Sequence, residues 1–166
     1  EDGFGNNYLL PAFPLRESIN KIKNYHIAFI NGEKKNNNLH MKLKSVNKKL
    51  QIFEGKYKPV NLKEFNLKKK YLMFCGIGNP HEFEQTLVKN KFSIKEKMIY
   101  PDHYKIHNEI INKLKLKAKN ESLSIVTTEK DFFRLSKSQR KNIKFLKISL
   151  EIKDIKKFKK LLISAL

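Results

Sequence analysis

From Tyr71 onward, short apolar runs alternate with amphipathic segments, and this alternation limits the fold more than any other feature of the sequence. Apolar runs occupy residues 71–75, 93–100, 123–127 and 143–150. Between the second and third runs, Ile106, Ile110, Leu114 and Ala118 recur at four-residue steps, as on one face of a helix. Strands that alternate with helices of these lengths predict a mostly parallel sheet with right-handed crossovers. We therefore expect a small three-layer α/β domain over residues 71–166.

Local sequence signals mark where several of these helices begin and end. Asn79 as N-cap, Pro80 at the first helical position and Glu82 three residues after the cap predict a helix directly after Gly78. Thr128 and Asp131 have the spacing of a capping box for a short helix over residues 128–135. The last helix should cover residues 152–166, and its apolar stripe should pack into the core because an α/β layer needs that stripe buried.

The first 70 residues are less regular. Residues 25–30 predict a buried strand, closed by the turn pair Asn31-Gly32 and preceded by a short helix over residues 17–23. Residues 34–70 are polar, with alternating runs at 39–43 and 50–53, which favour a strand-rich connector. The chain should thus divide into three segments, 1–33, 34–70 and 71–166.

The charge of the chain raises nucleic acid or an anionic membrane surface as partners, but its distribution argues against both. The formal net charge is +20, yet only three of the 36 basic residues are arginines, and the lysines are scattered. Nucleic-acid sites favour arginine for its bidentate fork, and no module signature with interleaved aromatic residues appears in this sequence. We expect no nucleic-acid partner, and a basic surface that is simply solvated.

The sequence also bears on membrane-spanning, secreted and disulfide-bonded classes of protein. No apolar run approaches the roughly 18 residues of a membrane span, and no signal peptide is apparent, so the bulk of the chain should be cytoplasmic. Cys75 is the only cysteine, which leaves no intrachain disulfide or cysteine-based zinc cluster. The first residue is Glu1 rather than Met, which favours a processed product or a partial reading frame.

Asp102-His103 is the main candidate for chemistry, because a carboxylate beside an imidazole at a strand-to-helix junction suits acid/base catalysis. A simpler interpretation makes Asp102 a helix cap. His103 and His107 have the one-turn spacing of a zinc pair, but no third ligand is evident, so we predict no metal site, and His107 should cap or decorate the helix.

Two further segments could contact a ligand. Glu129 and Lys130 follow a buried strand, where loops of a parallel sheet line a crevice, although both could simply face water. Arg16, followed by Glu17 after a proline-stiffened loop, is a candidate phosphate clamp in a chain that otherwise uses lysine. Gly76-Ile77-Gly78 lacks the third glycine of a dinucleotide fingerprint and predicts a tight turn, whose helix-start amides could hold an anion.

Four segments, in this order and spacing, together resemble one family. They are residues 5–17 (Gly-Asn-Asn-Tyr-Leu-Leu-Pro-Ala-Phe-Pro-Leu-Arg-Glu), residues 74–80 (Phe-Cys-Gly-Ile-Gly-Asn-Pro) with Phe83, residues 100–104 (Tyr-Pro-Asp-His-Tyr) and residues 128–131 (Thr-Glu-Lys-Asp). The chain resembles the tetraacyldisaccharide 4'-kinases, or lipid A kinases, over nearly its whole length. The match corresponds to the later half of that family.

The resemblance implies a fold and an activity. Residues 1–33 would be the tail of a P-loop kinase core, residues 34–70 the connector and residues 71–166 the C-terminal α/β domain. The family transfers the γ-phosphoryl group of ATP to the 4'-hydroxyl of an acylated disaccharide at the cytoplasmic face of the bacterial inner membrane. Its phosphate-cradling loop and the segment associated with Mg²⁺ lie upstream of the matched stretch, and no G-x-x-x-x-G-K-[ST] occurs in this sequence. We therefore expect this chain to need the N-terminal P-loop half.

The resemblance also implies roles for particular residues. His103, paired with an upstream aspartate, would activate the sugar hydroxyl, and Asp102 would orient or support it. Arg16 would offset charge on the transferred phosphoryl group, with Glu17 close to the substrate. Apart from the resemblance, the place of Glu129 and Lys130 after a buried strand makes them candidate nucleotide contacts. Phe13 departs from the family's usual glycine, which affects the loop that places Arg16.

Two rival interpretations remain at this point. A stand-alone basic α/β module for RNA or an anionic surface would bind with an affinity that falls steeply with salt, and would ignore ATP and acylated sugars. A decayed enzyme fragment would bind nothing well.

Overall fold

The computed structural model describes residues 17–32, 36–102 and 104–164, and the chain divides into two compact units. One unit combines residues 1–58 with residues 150–166, and the other contains residues 59–149. The units differ from the predicted segments because the strand that includes residues 150–152 joins the sheet of the first unit. The last strand and helix therefore do not belong to the α/β unit in which we expected them.

The described elements are five helices, seven strands and two short 3₁₀ helices. The helices are α1 (Asn37–Val46), α2 (Pro80–Lys89), α3 (Asn108–Asn120), α4 (Glu129–Arg134) and α5 (Ile155–Ser164). The strands are β1 (Ile27–Asn31), β2 (Gln51–Pro59), β3 (Lys70–Cys75), β4 (Ser93–Ile99), β5 (Ser124–Thr128), β6 (Ile143–Leu146) and β7 (Ile148–Ile152). The 3₁₀ helices cover Ile19–Asn24 and Leu62–Glu64.

The first unit has a three-stranded sheet in the order β1-β2-β7, with β1 and β2 parallel. The ring of Phe158 from α5 packs against Phe29 and Phe53, with centroids 6.2 and 5.0 Å away. Glu54 of β2 contacts His40 of α1 at 2.7 Å and Lys153 at 2.6 Å. The central strand β2 is thus the element against which α1 and α5 are held.

The second unit has a four-stranded sheet in the order β4-β3-β5-β6, and every strand pair in it is parallel. Five of the six residues of β3 are buried, as expected for a strand covered on both faces. Alternate residues of β3 enter different clusters. Met73 packs with Phe83 and Leu87 of α2, whereas Leu72 packs with Leu114 of α3. The predicted three-layer α/β architecture is therefore confirmed for this unit.

Two predicted strands were wrong. Residues 39–43 lie in α1, because Asn36 caps the helix by accepting a hydrogen bond from the Leu39 amide, and Leu39 and Leu43 share a helical face. The apolar positions at 39–43 fit the period of a strand as well as that of a helix, and Asn36 as a helix N-cap was the stronger signal. Residues 143–150 form two strands, β6 and β7, which belong to different sheets.

Helix α5 starts later than predicted, and its side chains are more exposed to solvent. It begins at Ile155, because Ile152 belongs to β7, and it contains no buried residue. Ile155 and Leu162 are 41% and 44% exposed, so the apolar stripe is only partly covered. The predicted packing of this stripe is therefore only partial: Phe158 contacts Phe29 and Phe53, whereas Ile155 and Leu162 stay exposed. No helix in the described ranges is both long and apolar enough to cross a membrane.

Gly55 provides a test of the packing around β2. A Cβ at this position would lie 2.5 Å from the Phe29 ring and 2.8 Å from the Glu151 carbonyl oxygen, and a backbone oxygen cannot simply rotate away. We expect Gly55→Ala to lower the free energy of unfolding by about 2 kcal/mol, as overpacking does, in urea denaturation. The control is Gly78→Ala, because its nearest atom would be Asp102 Oδ2 at 3.6 Å. Equal effects of the two substitutions would contradict the close approach at Gly55.

Candidate functional site

The candidate site lies at the carboxyl edge of the second unit's sheet. In the order β4-β3-β5-β6, the chain leaves β3 toward β4 on one side and leaves β5 toward β6 on the other. Parallel sheets bind ligands at such switch points, where adjacent loops diverge. Gly76 follows β3, Asp102 follows β4, and α4 follows β5 directly. The structure therefore brings three of the four motif segments to one edge.

Asp131 joins two of these loops directly. Its Oδ2 accepts hydrogen bonds from the Gly76 backbone amide at 2.9 Å and from the Thr128 hydroxyl at 2.8 Å. The Thr128 hydroxyl also accepts from the Asp131 amide at 3.1 Å, which is the predicted cap of α4. Asp131 is only 2% exposed. Its carboxylate thus contributes more than a capping-box partner, because it also holds the end of β3 against the end of β5.

Asp102 and Lys130 meet across the edge. Lys130 Nζ lies 3.1 Å from Asp102 Oδ1, with the two side chains 47% and 42% exposed. An ion pair this exposed contributes little to stability. Asp102 Oδ2 lies beside Gly78. Lys130, predicted from the sequence either to contact a ligand or to face water, contacts the carboxylate next to residue 103. Its neighbour Glu129 is the first residue of α4 and is partly buried.

Residues 104–107 follow without regular structure, and side chains from α4 and the turn after it hold their backbone. Arg134 Nη2 donates to the Tyr104 carbonyl oxygen at 3.3 Å, and Gln139 Nε2 donates to the Ile106 carbonyl oxygen at 3.4 Å. The Tyr104 ring stacks on Tyr100 with centroids 5.5 Å apart. A cavity of about 420 Å³ lies here, and its lining includes Tyr104, His107, Arg134 and Gln139.

The helix after the Asp-His motif starts later than the sequence suggested. Helix α3 begins at Asn108, and its N-cap is His107, whose side chain makes no capping bond. Asp102 lies six residues before the helix, so the alternative interpretation of Asp102 as a helix cap was wrong. His107 occupies the cap position without capping through its side chain.

The remaining predicted residues lie elsewhere. Arg16 and His103 fall outside the described residues. Glu17 belongs to the first unit, where it accepts a hydrogen bond from the Tyr25 hydroxyl at 2.9 Å and lies 3.7 Å from Lys21. Within the described part of the chain, no group of three or more His, Cys, Asp or Glu side chains could hold a metal ion.

Sequence reasoning missed the roles of two residues at this edge. Asp131 was assigned only to a capping box, and Arg134 was not assigned at all. A signal for Arg134 was present, because it is one of three arginines in a lysine-rich chain and lies three residues after Asp131. An arginine one turn after an aspartate on the same helix can pair with it, and here the Arg134 Nη1 to Asp131 Oδ1 distance is 3.5 Å.

Comparison with known proteins identifies relatives of the whole chain. The family model described as tetraacyldisaccharide-1-P 4'-kinase matches residues 1–166. The tetraacyldisaccharide 4'-kinase of Pelagibacter ubique (strain HTCC1062) is 39% identical over 153 residues, which are 92% of this chain and 49% of the relative. The enzyme of the same name from Rickettsia bellii (strain OSU 85-389) is 34% identical over 137 residues, 81% of this chain and 41% of the relative.

A solved structure has the same fold. The crystal structure of LpxK from Aquifex aeolicus in complex with ATP aligns with a TM-score of 0.62 and 22% identity, covering 96% of this chain and 48% of that one. The chain therefore spans about half the length of the relatives that it matches. These matches give no support to the alternative of a stand-alone module for RNA or an anionic surface.

The reactivity of the thiol of Cys75, the last residue of β3, tests whether the carboxyl edge is closed to reagents. Burial, and then the negative charge of Asp131, raise the pKa of its thiol to about 11. Because the thiolate is the reactive form, we expect a thiol reagent at pH 8 to react at least about 100-fold more slowly with the native chain than with the chain in urea. Cys75 is the only cysteine, so one thiol is counted in both states. Equal rates would show that this edge is open.

Proposed function

We propose, because the chain belongs to the tetraacyldisaccharide-1-P 4'-kinase family, that it forms the carboxyl-terminal part of an ATP-dependent lipid A 4'-kinase. The reaction would transfer the γ-phosphoryl group of ATP to the 4'-hydroxyl of a tetraacyldisaccharide 1-phosphate. The observation that supports this most strongly is the convergence of the 74–80, 100–104 and 128–131 segments at one switch point of one parallel sheet.

The chemical step would need a proton acceptor and compensation of charge. The 4'-hydroxyl oxygen would attack the γ-phosphorus as its proton passes to the His103 imidazole, and ADP would leave. Asp102 would orient that imidazole, and its own carboxylate pairs with Lys130 at 3.1 Å. Arg16 would offset charge on the phosphoryl oxygens, with Glu17 close to the disaccharide.

The nucleotide would lie against the same edge. Glu129 and Lys130 would contact it from α4, and amides at the start of α2, which follows Gly76 and Gly78, could hold its phosphates. Magnesium would neutralise phosphate charge in the complete enzyme. No G-x-x-x-x-G-K-[ST] loop occurs in this sequence, and we propose that this loop and the Mg²⁺ ligands come from the part of the family enzyme that this chain does not span.

The location of the enzyme follows from its proposed substrate. An acylated disaccharide resides in a membrane, and we propose that the enzyme works as a peripheral protein at the cytoplasmic face of the bacterial inner membrane. We also propose that residues 1–33 complete the P-loop core and that the second unit supplies the Asp102-His103 edge.

We expect this chain alone to have no kinase activity, because phosphoryl transfer depends on positioning and charge neutralisation by the phosphate-cradling loop and Mg²⁺. The assay measures ATP-dependent phosphorylation of the disaccharide by the chain alone. It is repeated with a fusion that places the amino-terminal half of the Pelagibacter ubique relative before this chain, called the completed enzyme below. Turnover by the chain alone, or none by a folded completed enzyme that binds ATP, would contradict the proposal.

A further prediction separates the role of His103 from that of His107. In the completed enzyme, His103→Ala should lower kcat by roughly 10²- to 10⁴-fold with little change in KM for ATP, as expected for loss of a general base. His107→Ala is the matched control, because His107 lies at the cap of α3 without a side-chain capping bond. The measurement is kcat at saturating substrates. Small and equal losses for both variants would remove His103 from the chemistry.

A further inference from the structure

We infer that α4 sets the positions of Asp102 and Tyr104, the residues on either side of His103 in the sequence, and that Arg134 is the positioning residue for Tyr104. The inference rests on the proposed function for its effect on catalysis, although its structural part stands on contacts within the second unit. The two described neighbours of residue 103 are both contacted from α4. Lys130 reaches the side chain of Asp102, and Arg134 reaches the backbone carbonyl of Tyr104.

The Lys130–Asp102 and Arg134–Tyr104 contacts differ in how well each can hold its partner in one orientation. The Lys130 and Asp102 side chains are both exposed by more than 40%, and a lysine on a flexible stem pairs with a carboxylate without a defined angle. Arg134 is more constrained. Its Nη1 faces Asp131 Oδ1 at 3.5 Å while its Nη2 donates to the Tyr104 carbonyl oxygen at 3.3 Å. The planar guanidinium therefore bridges a buried carboxylate and the loop backbone.

Asp131, the carboxylate end of that bridge, is itself held in place by hydrogen bonds at the sheet. Its side chain is 1% exposed. It accepts hydrogen bonds from the Gly76 amide after β3 and from the Thr128 hydroxyl at the end of β5. Through Asp131, the Arg134 guanidinium is thereby linked to the ends of β3 and β5, the two central strands of the sheet. A series of contacts then runs from the sheet through Asp131 and Arg134 to Tyr104, one residue after His103.

The geometry explains why this position carries arginine rather than the lysine that dominates the chain. Two acceptors in different directions need two donors in a fixed fork, which guanidinium provides and ammonium does not. Lysine at position 134 could keep its charge beside Asp131 and would release the Tyr104 carbonyl. Arg134→Lys is therefore the variant that separates positioning from charge compensation.

The first test uses the chain by itself and does not depend on any kinase activity. The Tyr104 amide donates to the Pro101 carbonyl oxygen within the segment, and the Tyr100 amide donates to the Cys75 carbonyl oxygen at the sheet. Hydrogen exchange followed by NMR should be at least about 10-fold faster at the Tyr104 amide in Arg134→Lys, and unchanged at Tyr100. Faster exchange at both amides would mean general destabilisation, and no change at Tyr104 would equally overturn the inference.

The matched control is Arg140→Lys. Arg140 also uses two guanidinium nitrogens on backbone carbonyls, at 3.0 and 2.8 Å, but its acceptors are Phe132 and Phe133 rather than the Asp102-His103 segment. Its replacement removes a similar fork from the same part of the unit. It should leave the Tyr104 exchange rate at the wild-type value, whereas acceleration equal to that in Arg134→Lys would contradict a specific role for Arg134.

The second test measures the effect on catalysis in the completed enzyme. Small displacements of a catalytic group are costly, so Arg134→Lys should lower kcat about 10-fold or more with KM for ATP within about twofold. Arg140→Lys should change kcat less than about twofold. If the unsubstituted completed enzyme is inactive, the proposed function fails while the exchange experiment still decides the structural inference. Normal kcat in Arg134→Lys, with accelerated exchange at Tyr104, would overturn the catalytic part alone.

Discussion

The carboxyl edge of the second unit depends on one buried carboxylate. Asp131 has almost no exposure to water, and a carboxylate in that position needs hydrogen-bond donors. It obtains them from the Gly76 amide after β3, from Thr128 at the end of β5 and from Arg134 one turn along its own helix. The Gly76 amide belongs to the loop after β3, whereas Thr128 and Arg134 lie at the two ends of α4. Satisfying one charge therefore fixes the relative placement of the glycine turn, the start of α4 and, through Arg134, the segment after β4.

The sheet explains why these groups meet at all. Its order, β4-β3-β5-β6, places the first and third strands of the unit side by side with parallel directions, so the loops that follow them share an edge. Strand β3 is buried on both faces, with α2 on one side and α3 on the other. The motif segments are distant in sequence, and only this topology brings Gly76, Asp102 and Lys130 together.

Periodicity was sufficient to predict the parallel sheet, the buried strand after Lys70 and the helix that begins at Asn79 and Pro80, because burial and capping are encoded locally. It failed at residues 39–43, where leucines and a methionine fit both a strand and a helix, and at residues 143–150, where one apolar run serves two sheets. For the candidate site, the sequence indicated Asp102 and Lys130 separately. The ion pair between them and the contact of Asp131 with Gly76 depend on tertiary placement over 28 and 55 residues, which no local pattern contains.

The central claim is that the Asp131 carboxylate holds the Gly76 amide at the switch point of the sheet. It is tested most directly by native-state hydrogen exchange of the Gly76 amide proton, measured in the unsubstituted chain and in Asp131→Asn. A buried, charge-assisted hydrogen bond predicts that Gly76 exchanges as slowly as the Tyr100 amide at the end of β4, and that the asparagine variant exchanges faster at Gly76 while Tyr100 stays protected. Exchange of Gly76 at the rate of an unprotected loop in the unsubstituted chain would contradict the account.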